Sequence, residues 1–185
     1  MFIQTEQTPN PATLKFLPGR AVMAAGVADF TDPDAAEASP LARRVFAVDG
    51  VRGVFLGADF VTVTKAEGQD WYVLKPSILG AIMEHYLSGD PVVDPEAELA
   101  QEGAASDEDD ELVKQIRELI DTRVRPAVAQ DGGDIIFHGF DRGIVYLHMR
   151  GACAGCPSST ITLKNGIENL LRYYVPEVIE VRPIG

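Results

Sequence analysis

A chain of 185 residues has room for one ordinary domain or two small ones, and 46% hydrophobic with 24% charged residues places it among globular proteins without a run of roughly 18 apolar residues that could cross a membrane. The formal net charge is −12, and nine of the 28 acidic residues fall between Asp94 and Glu111, where the chain from Lys75 to Lys114 has no intervening Lys or Arg. An acidic chain without a basic stripe argues against nucleic acid and anionic lipid as partners.

The N-terminus, Met1-Phe2-Ile3-Gln4-Thr5-Glu6, has neither the basic start and apolar run of a signal peptide nor the Arg-rich, acid-poor character of a transit peptide. A cytoplasmic protein of bacterial type, or the mature form of an organellar one, is therefore expected. Phe2–Thr5 and Ala12–Leu17 read as strands around the turn-forming Thr8-Pro9-Asn10-Pro11. Ser39-Pro40 is a helix start, with an N-cap followed by Pro at the first helical position, and residues 39–48 continue it. Val51–Leu56 and Phe60–Lys65 are rich in β-branched and aromatic residues and predict a hairpin about Gly57-Ala58-Asp59. A helix from Pro76 to Leu87, with Leu79, Ile82, Met83 and Tyr86 on one face, closes a first domain over residues 1–88.

Residues 89–109 hold Pro91, Pro95, small residues and uncompensated acids, which build no core and predict a flexible acidic linker. The second domain, 110–185, opens with a helix carrying Leu112, Ile116, Leu119, Ile120 and Val124, interrupted by Pro126 and ended at Asp131-Gly132-Gly133-Asp134. Ile135–Phe140 and Gly143–Met149 predict a hairpin about Asp141-Arg142. An amphipathic helix from Pro157 to about Tyr174 and a strand at Glu177–Arg182 complete it. The expected fold class is α+β: two small α+β domains joined by the linker, the second in the order helix–strand–strand–helix–strand.

Cys153 and Cys156 are the only cysteines. Their separation of three would arise by chance in roughly one chain in a hundred, and a disulfide-stapled scaffold would need more cysteines, further apart. In Gly151-Ala152-Cys153-Ala154-Gly155-Cys156-Pro157, two thiolates at i and i+3 can bind one metal centre if the backbone between them curls, which Gly155 permits. Pro157 starts the next helix, so Cys156 is expected at a helix N-terminus, a setting that favours the thiolate. Two cysteines are half the set that common iron–sulfur clusters or structural zinc require. His138 and His148 fall on predicted strands and His85 in the other domain, so two chains sharing one centre about a two-fold axis is the economical completion. A thiol–disulfide oxidoreductase and a zinc-linked structural dimer use the same residues, and both stay open at this point. The hydroxyls of Ser158, Ser159 and Thr160 read as helix caps or as donors to bound sulfur.

At these residues the chain resembles the Nfu-type proteins, which share the C-terminal domain of NifU-like iron–sulfur proteins. The resemblance rests on Gly132-Gly133-Asp134, on Gly151-Ala152-Cys153-Ala154-Gly155-Cys156-Pro157-Ser158-Ser159, on Thr162-Leu163-Lys164-Asn165-Gly166-Ile167-Glu168 and on Val175-Pro176-Glu177-Val178. At the start, Thr8-Pro9-Asn10-Pro11 and Leu14-Lys15-Phe16 look like the family's N-terminal domain. It implies a non-enzymatic carrier that binds a [4Fe–4S] cluster through Cys153 and Cys156 of a homodimer. The cluster would come from upstream assembly proteins and pass to apo-proteins of aconitase-like or lipoate-synthase-like kind. The chain has no scaffold domain with three further cysteines, so late carriage is expected rather than initial assembly.

Overall fold

The computed structural model describes residues 2–24, 26–94, 111–154 and 157–184, with the side chains of 157–160 left out. The described residues form two units, one on each side of residues 95–110. The chain is α+β, as its pattern of alternating and helical periods predicts.

In the first unit the Pro-Asn-Pro segment turns the chain through side-chain bonds: the Ala12 N–H donates to Asn10 Oδ1 at 3.0 Å and the Thr8 hydroxyl to Asn10 O at 2.8 Å. This turn joins β1 (Gln4–Gln7) to β2 (Thr13–Leu17). With β3 (Ala28–Phe30), β4 (Val51–Leu56) and β5 (Val61–Lys65), they make an antiparallel sheet in the order β1-β2-β5-β4-β3. The hairpin expected from residues 51–65 is β4–β5. The strand β3 was not legible in sequence, because three residues carry too short a pattern to read.

Two helices cover the sheet. The helix α1 (Pro40–Phe46) starts as expected, with Ser39 accepting the Ala42 N–H at 3.1 Å. The helix α2 runs Trp71–Ser88, so it begins before Pro76 rather than at it. Asp70 is the true cap, accepting the Tyr72 N–H at 2.9 Å, and the Trp71 indole donates to Pro11 O at 3.1 Å. These anchors hold a first turn that the proline would otherwise weaken. Phe16, Leu41, Leu56, Ile78 and Ile82 fill the core. Val93 joins it and the Asp94 N–H donates to Ala38 O at 2.8 Å, so packing in this unit runs past residue 88.

The second unit opens with α3 (Glu111–Leu119), a π turn over Ile120–Val124 and α4 (Arg125–Gln130). The chain stays helical across Pro126, contrary to the expected interruption. The Arg125 N–H reaches back five residues to Ile120 O, and this wider turn falls just before the proline. Then β6 (Gly133–Asp141) and β7 (Ile144–Gly151) pair antiparallel through a two-residue turn at Arg142-Gly143, both with positive φ. The helix α5 (Pro157–Tyr174) returns the chain so that β8 (Glu180–Ile184) lies parallel to β7. Helices and sheet enclose Ile116, Ile120, Ile135, Leu147, Ile167 and Leu171.

Candidate functional site

The strand β7 ends at Gly151, whose φ of 62° turns the chain sharply out of the sheet. The Ala154 N–H closes the turn on Gly151 O at 3.1 Å, and the Ala152 N–H donates across to Gly132 O at 3.2 Å. Cys153 lies within this turn. It is 6% exposed and packs with the core of the second unit.

Room for its sulfur comes from the neighbouring strand. Gly133 pairs with Gly151 in register. A Cβ on Gly133 would stand 2.9 Å from the Cys153 amide nitrogen and 3.0 Å from Arg150 O, and it would overlap Cys153 Sγ. Two of these three obstacles are backbone atoms, so the position accepts only glycine without displacing the turn. The Gly-Gly pair thus does more than end a helix. Gly132, with φ 79°, turns the chain, and Gly133 admits the thiol.

Asp134 follows on β6 and is buried, at 3% exposure. Arg125 binds it through two hydrogen bonds, Nε to Oδ1 and Nη2 to Oδ2, each 2.9 Å, and also reaches Asp121 at 3.4 Å. This fork ties the start of α4 to the start of β6, the strand that carries Gly133. Sequence reading missed both Gly133's contact and the Arg125–Asp134 pair. The available signal was an acid immediately before the apolar run Ile135-Ile136-Phe137, which needs a partner when buried.

Burial pushes the Cys153 thiol up to about 12, and the charges of Asp131 and Asp134 push in the same direction. Near neutral pH it is therefore a protonated thiol. Cys156 lies outside the described residues, as do the side chains of Ser158, Ser159 and Thr160, while the helix start expected at Pro157 is where α5 begins. None of the three histidines belongs to the turn itself. His148 alternates along β7 with the buried Leu147 and Met149, His138 is exposed on β6, and His85 is buried in the first unit. Among the described residues, no three His, Cys, Asp or Glu side chains are grouped to hold a metal ion.

Residues 3–89 match the family model described as "Scaffold protein Nfu/NifU N terminal", and residues 116–182 match the one described as "NifU-like domain". The chain is 53% identical over its whole length to the human "NFU1 iron-sulfur cluster scaffold homolog, mitochondrial", of which it spans 72%. It is 54% identical over 96% of its length to "NifU-like protein 4, mitochondrial" of Arabidopsis thaliana, of which it spans 64%. A solution structure of a NifU-like protein from Saccharomyces cerevisiae is 28% identical, covering 51% of this chain and 86% of its own, with a TM-score of 0.42. The mitochondrial relatives overturn the expectation of a bacterial-type cytoplasmic location. That expectation rested on the character of residues 1–6 alone. With both halves matched and more than half its residues shared with the human protein, the chain belongs to the Nfu family of NifU-like proteins.

Proposed function

We propose that this protein carries an iron–sulfur cluster of [4Fe–4S] type, held by Cys153 and Cys156 from each of two copies, and hands it to apo-proteins. The observation that carries the reading is the turn after β7, where Gly133 leaves room for the Cys153 sulfur, in a chain with only two cysteines. Relatives named as iron–sulfur cluster scaffolds support it. The cluster is cargo here. Thiolates supply the bonds and a client's thiolates replace them stepwise, so the protein contributes geometry and lability rather than bond-making catalysis. Residues 1–88 and 110–185 act as separate domains, with the acidic stretch between them as tether. Upstream assembly proteins load the site and apo iron–sulfur proteins empty it.

A thiol–disulfide oxidoreductase would use the same two cysteines and is separated by whether the protein cycles an internal disulfide. Zinc would use the same donors and is separated by metal analysis.

Anaerobic reconstitution with ferrous iron and sulfide tests the proposal. The wild type is expected to turn brown and hold about four iron and four sulfide per two chains, and Cys153→Ala and Cys156→Ala are each expected to lose this. A colourless protein that cycles an internal disulfide, or one that retains zinc in place of iron, would overturn it.

A further inference from the structure

The helical run that begins at Glu111 ends on Asp131, where the Asp131 N–H donates to Val128 O at 3.0 Å and the Gly132 N–H to Ala129 O at 3.1 Å. A carboxylate is out of place there. The C-terminal end of a helix carries partial negative charge and favours a cation, yet the last turn of α4 holds no base. Arg125, the base nearest to it in sequence, is committed to Asp134 and Asp121. Asp131 is exposed and, among the described residues, makes no ion pair. Its charge therefore opposes the fold at its own position.

The turn after β7 gives that charge something to act on. Gly132 O accepts the Ala152 N–H at 3.2 Å, and Cys153 Sγ fills the Cβ position of Gly133. Asp131 stands two peptide units before Gly133, at most about 7 Å along the backbone. That is inside the roughly 8 Å over which a charge acts in physiological salt. The charge bears on Cys153: after burial it is the next influence pushing that thiol up, ahead of Asp134. A cluster held by four thiolates is itself a net anion. A carboxylate beside one of its ligands raises the energy of the loaded site and leaves the empty one nearly untouched.

We propose that Asp131 is a release-favouring charge: it repels the thiolate-bound cluster at Cys153 and keeps it exchangeable, at the expense of its own helix end. The inference rests on the carrier function proposed above. Such a charge suits a carrier, because a cluster held too firmly does not pass to a client.

Three variants of the full chain test it. Asp131→Asn removes the charge at constant size, and Asp131→Glu keeps it. Asp141→Asn changes the net charge equally at the far end of β6, about 26 Å from Gly133 along the strand. After anaerobic reconstitution, iron content, the rate of cluster loss to a chelator, the cluster reduction potential and the cluster-free melting temperature are measured. Asp131→Asn is expected to load like wild type, to lose its cluster about fivefold more slowly and to be reduced at a more positive potential. The difference in rate should shrink in 1 M salt. Asp131→Glu and Asp141→Asn should both follow wild type. An Asp131→Asn protein that melts higher but loses its cluster at the wild-type rate would overturn the proposal, leaving only a misplaced helix cap. Failure of that variant to load would also overturn it, by making Asp131 a ligand or a support. So would an equal effect of Asp141→Asn, by making net charge the cause. Each of these leaves the carrier function standing, whereas a wild type that takes up no cluster removes both.

Discussion

Gly133 is the residue on which the site's geometry turns. Its Cβ position is occupied by the sulfur and backbone of Cys153 and by the carbonyl of Arg150. Backbone atoms cannot rotate away as a flexible side-chain end can, so Gly133→Ala must move the strand or the turn. The expected cost is about 1–3 kcal/mol, read as a lower urea midpoint for the second unit, together with reduced cluster retention after reconstitution. A variant as stable as wild type, with unchanged retention, would show that the turn relaxes freely. Arg125 acts at one remove. By satisfying a buried carboxylate it fixes the strand on which Gly133 sits, and a buried acid without that fork would be costly.

At the level of elements, α2 contains an unusual residue for its position. His85 is fully buried and, among the described residues, neither ring nitrogen has a hydrogen-bond partner. Burial lowers its pKa below the ordinary 6.5, and the Arg44 guanidinium lowers it further, against a smaller opposing effect of Asp90. The unfolded chain therefore takes up the proton first as pH falls. The stability of the first unit should be intact above pH 6.5 and decline from there through the folded value. Thermal melts across that range would show the slope, and His85→Leu should flatten it; an equal slope in the variant would assign the effect elsewhere. Helix boundaries show the same dependence on neighbours. Ser39-Pro40 was legible because a cap and a proline act within one turn. The start of α2 was misjudged because Pro76 looks like a first residue, while Asp70 and the Trp71–Pro11 bond establish the earlier one. Pro126 misled in the same way, since a π turn carries the helix past it.

The whole molecule has two separate cores, and each should respond to its own mutations. Leu41 belongs to the first and Leu171 to the second, both fully buried. Replacing either by Ala should cost about 2–5 kcal/mol in one unit only. In calorimetry or urea unfolding this would appear as one transition moving while the other stays. Coupled shifts in both would mean that the units unfold together. The sequence by itself determined the α+β class, the order of elements in the second unit, the Pro-Asn-Pro turn, the Ser39 cap and the cysteine pair before a helix, because each is a pattern carried by residues close along the chain. Only the tertiary structure decided that Gly133 makes room for Cys153, that Arg125 satisfies Asp134, that β8 lies parallel to β7 and that His85 is buried without a hydrogen-bond partner among the described residues. Those features depend on which strand lies beside which and on what burial does to a polar group, and neither exists until the chain has packed.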